Sequence, residues 1–149
     1  MLVNKYRIFS VIKFIQSSYF KHNIYIIIDI KKNKMKSFKV FGERHTGTNA
    51  ISSFLEKNFN LENKYYEYLG WKHRLAPSHE ELKKFNLVDN LFLITFRNPY
   101  SWLKAMHKEP YNYNYPQIRE LDFLSFLQIP FEDYENVIKM WNQKNQSYL

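Results

Sequence analysis

The chain contains no cysteine among its 149 residues, and this absence removes two kinds of structure. Neither a disulfide bond nor a metal site built on thiolates can form without cysteine. Proteins of the reducing cytoplasm commonly have no disulfides. We therefore expect a cytoplasmic protein whose fold is held by ordinary packing.

Long apolar runs are also lacking. The two runs nearest the N-terminus, Val11–Ile15 and Ile24–Ile30, are much shorter than the ~20 residues that a membrane-spanning helix requires. The basic start resembles a signal peptide only faintly, because no small-residue cleavage site follows it. We predict that the chain has no membrane span.

The length and the change in character near residue 35 suggest the domain organisation. A chain of 149 residues is long enough for one domain with an ordinary core. Residues 1–34 differ from the rest, and Met35 stands just before the first convincing strand. We interpret residues 1–34 as an N-terminal extension, with Met35 as a candidate start of translation, and residues 35–149 as the folded domain.

The charge is strongly basic. Lysine and arginine number 22 against 14 acidic residues, which gives a formal net charge of +8. Such an excess suits an anionic ligand, a nucleic acid or an acidic surface. A nucleic-acid-binding module would also need a stacking or groove-reading element, and none is recognisable here. An anionic ligand is therefore the favoured partner, and no nucleic acid is expected.

The pattern of apolar residues predicts an α/β fold. Ser37–Phe41 reads as a strand that ends on a glycine, and a helical stripe follows Gly47. Leu91–Phe96 suits a strand of a parallel sheet buried on both faces, and Asn98-Pro99 supplies the start of another helix. Strand, loop, helix, strand and helix form the alternation of an α/β domain.

Four further elements complete the prediction. They are a second strand at Tyr65–Leu69, a short helix begun by a capping box at Ser78, a helix within Glu120–Leu127 and a last helix within Asn136–Leu149.

The segment GERHTGTN, from Gly42 to Asn49, has the form of a loop that cradles phosphate. Gly42 lets the chain leave the strand sharply, and Gly47 lets the backbone approach an anion. The first N–H groups of the following helix have no partners within that helix, so they can bind the ligand. Arg44 and His45 can add charge or hydrogen-bond donors. Two glycines at this spacing also suit a tight turn that binds nothing.

Two departures distinguish this loop from that of nucleotide hydrolases. Such loops end in Gly-Lys-Ser or Gly-Lys-Thr, in which the lysine contacts the phosphates and the hydroxyl holds magnesium. Here Thr48 stands at the lysine's position, and Arg97 follows the second apolar strand where an acidic metal ligand is usual. Both changes favour an anion that is held by protein groups without a metal. Arg97 lies at the carboxyl edge of the predicted sheet, where α/β proteins bind ligands.

Together these segments resemble the sulfotransferase family, and most closely its small bacterial and viral members with a GERxxGTN loop. The segment RHTGTN resembles the family's 5′-phosphosulfate loop. Arg97-Asn98-Pro99 resembles the start of its 3′-phosphate motif, and Trp71-Lys72-His73 with Pro77 resembles the segment that carries a catalytic histidine. The three occur in the family's order and span roughly residues 37–110.

The resemblance implies a fold and an activity. The implied fold is a P-loop-type three-layer parallel sheet flanked by helices, in a small or truncated version. The implied activity is transfer of a sulfuryl group from 3′-phosphoadenosine 5′-phosphosulfate to a hydroxyl or amine acceptor, without a metal. The acceptor class stays open among saccharides, peptides and small molecules.

The resemblance also assigns roles to residues. His73 is implied as the catalytic base. His45 stands near the position where many family members have a lysine that stabilises the leaving group, a role that Arg44 can take instead. Arg97 is expected to pair with the 3′-phosphate, and Ser101 to replace a serine whose position Ala105 occupies. The residues expected to hold the 5′-phosphate and sulfate oxygens are Thr46, Gly47, Thr48 and Asn49.

Two other functions stay open at this point. One is a P-loop nucleotide-binding protein or kinase, which predicts binding of ATP with magnesium. The other is a degenerate family member without catalysis, because family members usually carry a further strand after the last helix seen here. We expect such an incomplete sheet to expose an edge, which favours self-association.

Overall fold

The computed structural model describes residues 13–14, 25–26, 35–64, 67, 69–84, 89–110 and 116–149. In these residues, a small parallel sheet of three strands is combined with helices. The predicted α/β class is confirmed at this level. The prediction that residues 1–34 are an extension concerns residues that mostly lie outside the described part.

The strands are β1 (Lys13–Phe14), β2 (Tyr25–Ile26), β3 (Ser37–Gly42), β4 (Glu62–Asn63) and β5 (Asn90–Thr95). The helices are α1 (Thr48–Asn58), α2 (His79–Lys83), α3 (Pro99–Lys108), α4 (Phe123–Gln128) and α5 (Val137–Ser147), and a 3-10 helix spans Pro116–Glu120. None of the described helices is long and apolar enough to span a membrane.

Strand β3 lies at the centre of the parallel sheet, between β4 and β5. It pairs with β5 along six residues, from Ser37 opposite Asn90 to Gly42 opposite Thr95. Because parallel strands in register end at the same edge, the loop after Gly42 and the segment after Thr95 start side by side. The separate β1–β2 pair is antiparallel.

One hydrophobic cluster joins the sheet to α1, and we call it the sheet cluster. Its buried members are Phe38, Val40, Ile51, Leu55, Leu61 and Leu93. Side chains of a strand alternate between its two faces, so Phe38 and Val40 point to α1 while Phe41 lies on the opposite face. There Phe41 contacts Phe92 and Tyr148, with ring centroids 6.3 and 5.9 Å away.

A second hydrophobic cluster lies among the C-terminal helices, and we call it the helical cluster. Its buried members are Trp102, Met106, Ile118, Phe126, Phe131, Val137 and Met140. Helix α3, which starts four residues after the end of β5, contributes Trp102 and Met106 to this cluster. The loop after β3 therefore lies between the sheet cluster and a second packed body.

Local sequence signals predicted the helix starts correctly. The Asn98 side chain accepts hydrogen bonds from the N–H groups of Tyr100 and Ser101, with Pro99 in the first turn of α3. Ser78 and Glu81 form the predicted capping box at α2. Both signals concern residues two or three positions apart, so the chain needs no distant partner to form them.

Three details of the prediction were wrong. The second strand is Glu62–Asn63. Within the predicted strand Tyr65–Leu69, residues 67 and 69 lie in turns, and the other three lie outside the described residues. In β5 only Leu93 and Thr95 are buried, because β5 is an edge strand of the described sheet instead of a central one. The helix predicted within Glu120–Leu127 is divided, because Asp122 caps α4 through the N–H groups of Leu124 and Ser125.

Candidate functional site

The backbone of the loop turns sharply at both glycines. Gly42 has a φ of 150° and Gly47 a φ of 92°. A Cβ atom on Gly42 would lie 2.2 Å from Thr95 Oγ1 and 2.6 Å from the Thr95 carbonyl oxygen. No side chain fits there, so the close approach of the two strand ends requires glycine at this position.

Thr46 closes the first part of the loop on itself. Its backbone N–H and its hydroxyl both donate to the Glu43 carbonyl, at 3.2 and 2.5 Å. The same hydroxyl lies 2.7 Å from Thr95 Oγ1, and Thr46 is only 2% exposed. Thr46 therefore maintains the shape of the loop, and its polar groups are already used within the protein.

The start of α1 is arranged differently. Gly47 is the N-cap residue and has no side chain to bond the first turn. The Gly47 carbonyl accepts the N–H of Ile51 at 3.0 Å, which leaves the amides of Thr48, Asn49 and Ala50 ahead of the first intrahelical hydrogen bond. Such amides, together with the helix dipole, attract an anion.

The charged side chains at the front of the loop are paired with the C-terminal part of the chain. Glu43 is 3% exposed and forms an ion pair with Lys144 Nζ at 2.9 Å. Arg44 Nη1 forms an ion pair with Glu132 Oε1 at 2.6 Å. Burial raises the pKa of the Glu43 carboxyl, although Lys144 opposes that shift.

Arg44 and Lys144 also lie against one aromatic ring. The guanidinium carbon of Arg44 is 5.2 Å from the centroid of the Trp71 ring, and Lys144 Nζ is 5.9 Å from it. Cations at this distance are attracted by the ring electrons. Trp71 is 38% exposed, so these contacts lie near the surface of the site.

His45 is held in the loop by its ring. With a proton on Nε2, the imidazole donates to the Glu109 carbonyl at 2.8 Å, which lies just after α3. The backbone of His45 is in the left-handed region, with φ 60°. Although His45 lies only three residues before the start of α1, its ring therefore bonds Glu109, which is 64 positions away along the chain.

Arg97 lies directly beside the loop. Its Nη1 donates to the His45 carbonyl at 3.1 Å. Its Nε is buried and has no hydrogen-bond partner among the described residues. A buried guanidinium nitrogen without an acceptor is costly, and an anionic ligand would supply that acceptor.

His73 is tied to the strand end where the loop starts. Its ring Nδ1 donates to the Gly42 carbonyl, which leaves Nε2 with a lone pair. Burial is the main reason that the pKa of His73 is lowered to about 4; the hydrogen bond to Gly42 opposes this shift, and the nearby charges of Lys72, Arg44 and Lys144 add to it. The imidazole is therefore neutral near pH 7.

Lys72 joins the same segment to α1. Its carbonyl accepts the N–H of Gly42 at 3.0 Å, and its ammonium donates to Asn49 Oδ1 in the first turn of α1. Lys72 is 6% exposed. A lysine charge thus lies at the start of the helix, although the sequence has no lysine at the usual position in the loop.

The structure brings most of the predicted site residues together and leaves one apart. The loop residues, Arg97 and His73 are linked through the hydrogen bonds given above. Ser101 is exposed in the first turn of α3, where its backbone N–H bonds Asn98 Oδ1. No hydrogen bond of its side chain to the loop is found in the described part of the chain.

Several residues of the site carried no predicted role. Lys72 could have been found from the sequence, because it directly precedes His73, the predicted base. Thr95 could be found only from the register of β5 against β3, and Glu132 and Lys144 only from the packing of distant segments. In the described ranges, no group of three or more histidine and acidic side chains is arranged to hold a metal ion.

Comparisons with known proteins identify no relative. No protein-family model, no curated protein and no solved structure matches the chain.

Proposed function

We propose that this protein transfers a sulfuryl group from 3′-phosphoadenosine 5′-phosphosulfate to a hydroxyl or amine acceptor. The observation that carries the proposal is the contact of His73 with Gly42. The hydrogen bond from Nδ1 to the Gly42 carbonyl places a neutral imidazole beside the turn that leads to the uncapped start of α1. Through Gly42, the candidate base is thus linked to the loop that leads to the candidate anion site.

The residues present fit an anionic donor in two places. The amides of Thr48 and Asn49 suit its 5′-phosphate, because no side chain caps α1. Arg97 suits its 3′-phosphate, because Nε is buried without an acceptor among the described residues. Thr46 contributes to this site through the shape of the loop, since its N–H and hydroxyl donate to Glu43.

When it is bound, the donor supplies an activated sulfuryl group. The His73 imidazole is neutral near pH 7, and Nε2 can accept a proton from the acceptor hydroxyl, provided that the negative charge of a bound donor raises its low pKa. The Lys72 ammonium and the first amides of α1 lie where they stabilise negative charge on a phosphate. The Trp71 ring is perpendicular to the His73 ring, with the two centroids 5.0 Å apart. This contact limits the orientation of the imidazole.

The finer description of the fold belongs to the same proposal. Strand β3, the loop and α1 follow one another in the order that a P-loop has, and α1 covers one face of the sheet while Tyr148 contacts the other. We interpret this as a small version of a three-layer P-loop fold. The parallel pairing of β3 with β5 is consistent with that interpretation.

Calorimetric titration of the full chain tests donor binding. We expect 3′-phosphoadenosine 5′-phosphate to bind with micromolar affinity, unchanged by magnesium or by a chelator. ATP is the matched ligand, because it has the same base and a similar total phosphate charge but no 3′-phosphate. Stronger binding of ATP, dependent on magnesium, would contradict the proposal and favour a nucleotide-binding protein or kinase.

Catalysis needs a separate measurement. Transfer of labelled sulfate from the donor can be followed with phenols, saccharides and tyrosine peptides as acceptors. We expect His73→Gln to remove transfer while the bisphosphate affinity changes by less than about threefold, because the imidazole acts on the acceptor. Full activity of this variant would exclude His73 as the base.

A further inference from the structure

Glu132 lies between two cations of the site. Its Oε1 contacts Arg44 Nη1 at 2.6 Å, and its Oε2 lies 3.4 Å from Lys144 Nζ. Burial alone would raise the pKa of Glu132, but Lys144 and Arg44 together lower it. The Glu132 carboxylate is therefore ionised at neutral pH, and it forms an ion pair with Arg44, the arginine of the loop.

The two ion pairs of the loop differ in exposure. Glu43 and Lys144 have side chains 3% and 7% exposed, which makes that pair part of the interior. The side chains of Arg44 and Glu132 are 19% and 24% exposed. Water and dissolved ions can reach the second pair, so its partners can be exchanged more readily than those of the buried pair.

The backbone of Glu132 is strained. It has a φ of 52°, a left-handed conformation that is unfavourable for a residue other than glycine. Phe131 and Tyr134 hold the turn with two backbone hydrogen bonds, of 3.1 and 3.0 Å. Strained residues of this kind concentrate at functional sites, and here the strained residue carries the carboxylate that contacts Arg44.

We propose that Glu132 is an internal competitor that masks Arg44 from anionic ligands. A carboxylate and a phosphate or sulfate group use the same hydrogen-bond donors of a guanidinium. Arg44 contacts Glu132 through one nitrogen, so an incoming anion can take over the remaining donors and then the shared one. The inference rests on the proposed anion site, and it concerns how strongly that site selects its ligand.

The test is titration of the full chain with inorganic pyrophosphate at low ionic strength. We expect Glu132→Gln to bind pyrophosphate about fivefold more tightly than the wild type, which corresponds to a modest coupling between sites. Glu135→Gln is the matched control, because it removes the same charge from an exposed side chain three residues away. Its affinity should change by less than about twofold.

A second pair of variants separates masking from general electrostatics. In an Arg44→Gln background, Glu132→Gln should give no gain in affinity, because there is no guanidinium to release. Glu132→Gly removes the carboxylate and also tolerates the left-handed backbone, so it should show the same gain if Glu132→Gln folds poorly. Thermal unfolding shows which variants are folded.

The possible outcomes separate this inference from the proposed function. Unchanged or weaker pyrophosphate binding by both Glu132 variants overturns masking, as does an equal gain in the Arg44→Gln background. Failure of every variant to bind pyrophosphate also overturns it, because nothing is then unmasked. A gain that depends on Arg44 supports masking even if the adenosine bisphosphate binds no more tightly than pyrophosphate, a result that would contradict only the proposed donor.

Discussion

The loop after β3 has two halves that differ in what their polar groups contact. In the first half, Gly42 to Thr46, the side chains contact other parts of the protein, from Lys144 and Glu132 to the Glu109 carbonyl. In the second half, Gly47 to Asn49, the helix start has no side-chain cap. The difference indicates that the first half fixes the loop in this structure, including Arg44 while it is paired with Glu132, and that the second half is the main candidate for the proposed ligand.

The position of the loop explains this division. Trp102 belongs to the helical cluster, and its indole N–H donates to the Arg44 carbonyl at 2.7 Å. Ile51 belongs to the sheet cluster and lies two positions after the second half of the loop. Substitutions in the first half should therefore change the stability of the fold, and substitutions around the second half should change ligand binding.

The largest effect is expected for Gly42→Ala. The added Cβ would meet Thr95 Oγ1 at 2.2 Å and a backbone oxygen at 2.6 Å, so the sheet edge has to move. We expect a loss of about 4–5 kcal/mol in the free energy of unfolding, measured by chemical denaturation. Gly70→Ala is the control: its φ is also positive but the nearest atom is 3.8 Å away, and about 1 kcal/mol is expected. Equal losses would contradict the steric argument.

Lys144→Met should have the next largest effect. It leaves the buried Glu43 carboxylate without its cation, which costs about 3 kcal/mol when the carboxylate is ionised. Because burial already raises the pKa of Glu43, protonation relieves part of this cost, and the loss should be larger at pH 8 than at pH 5. Lys139→Met, at an exposed position of the same helix, should change stability by less than about 0.5 kcal/mol.

The double variant Glu43→Gln with Lys144→Met sharpens this prediction. It removes both charges, so it should be more stable than Lys144→Met alone. If the two single losses simply add in the double variant, the ion pair does not connect the loop to α5.

The pH dependence of stability should depend on His73. Its pKa is about 4 in the folded protein and 6.5 without the fold, so the unfolded chain binds more protons between these values. Its contribution is present above pH 6.5 and is lost as the pH falls toward 4. We expect the free energy of unfolding to fall by about 2–3 kcal/mol between pH 7.5 and 4.5 through this group.

Denaturation of His73→Gln at both pH values measures that contribution. The variant should lose most of this part of the pH dependence, whereas His79→Gln, which removes an exposed histidine, should retain it. An unchanged slope in His73→Gln would show that the imidazole is not held neutral by the fold.

The smallest change in stability is expected for Arg97→Ala, together with a large change in binding. The arginine makes one hydrogen bond to the His45 carbonyl, so its loss should cost about 1 kcal/mol of stability. The affinity for the adenosine bisphosphate should fall about 30-fold, because charge-assisted contacts to phosphate are strong. Arg119→Ala removes an exposed arginine and should leave both quantities nearly unchanged.

The opposite result for Arg97→Ala would contradict the proposed difference between the two halves of the loop. Strong destabilisation with unchanged affinity would place Arg97 with the residues that fix the loop. Calorimetry and denaturation on the same protein samples distinguish the two possibilities.

Some of these features could be predicted because their causes are local. Gly42 and Gly47 were found from their spacing, and Asn98 from the proline that follows it. The burial of β5 was predicted wrongly from its apolar composition, because composition does not show whether a strand lies at the centre or the edge of a sheet. The position of β4 was missed because a strand of two residues, Glu62–Asn63, has no periodicity to detect.

The sequence by itself determined the turns, the helix caps and the candidate ligand groups of the loop, because backbone preferences act between neighbouring residues. Only the tertiary structure decided which of those groups are already used. Glu132 and Lys144 are about 90 and 100 positions along the chain from Arg44 and Glu43, and packing of the helical cluster brings them to the loop. Ion pairs between such distant segments depend on that packing, and no local pattern encodes them.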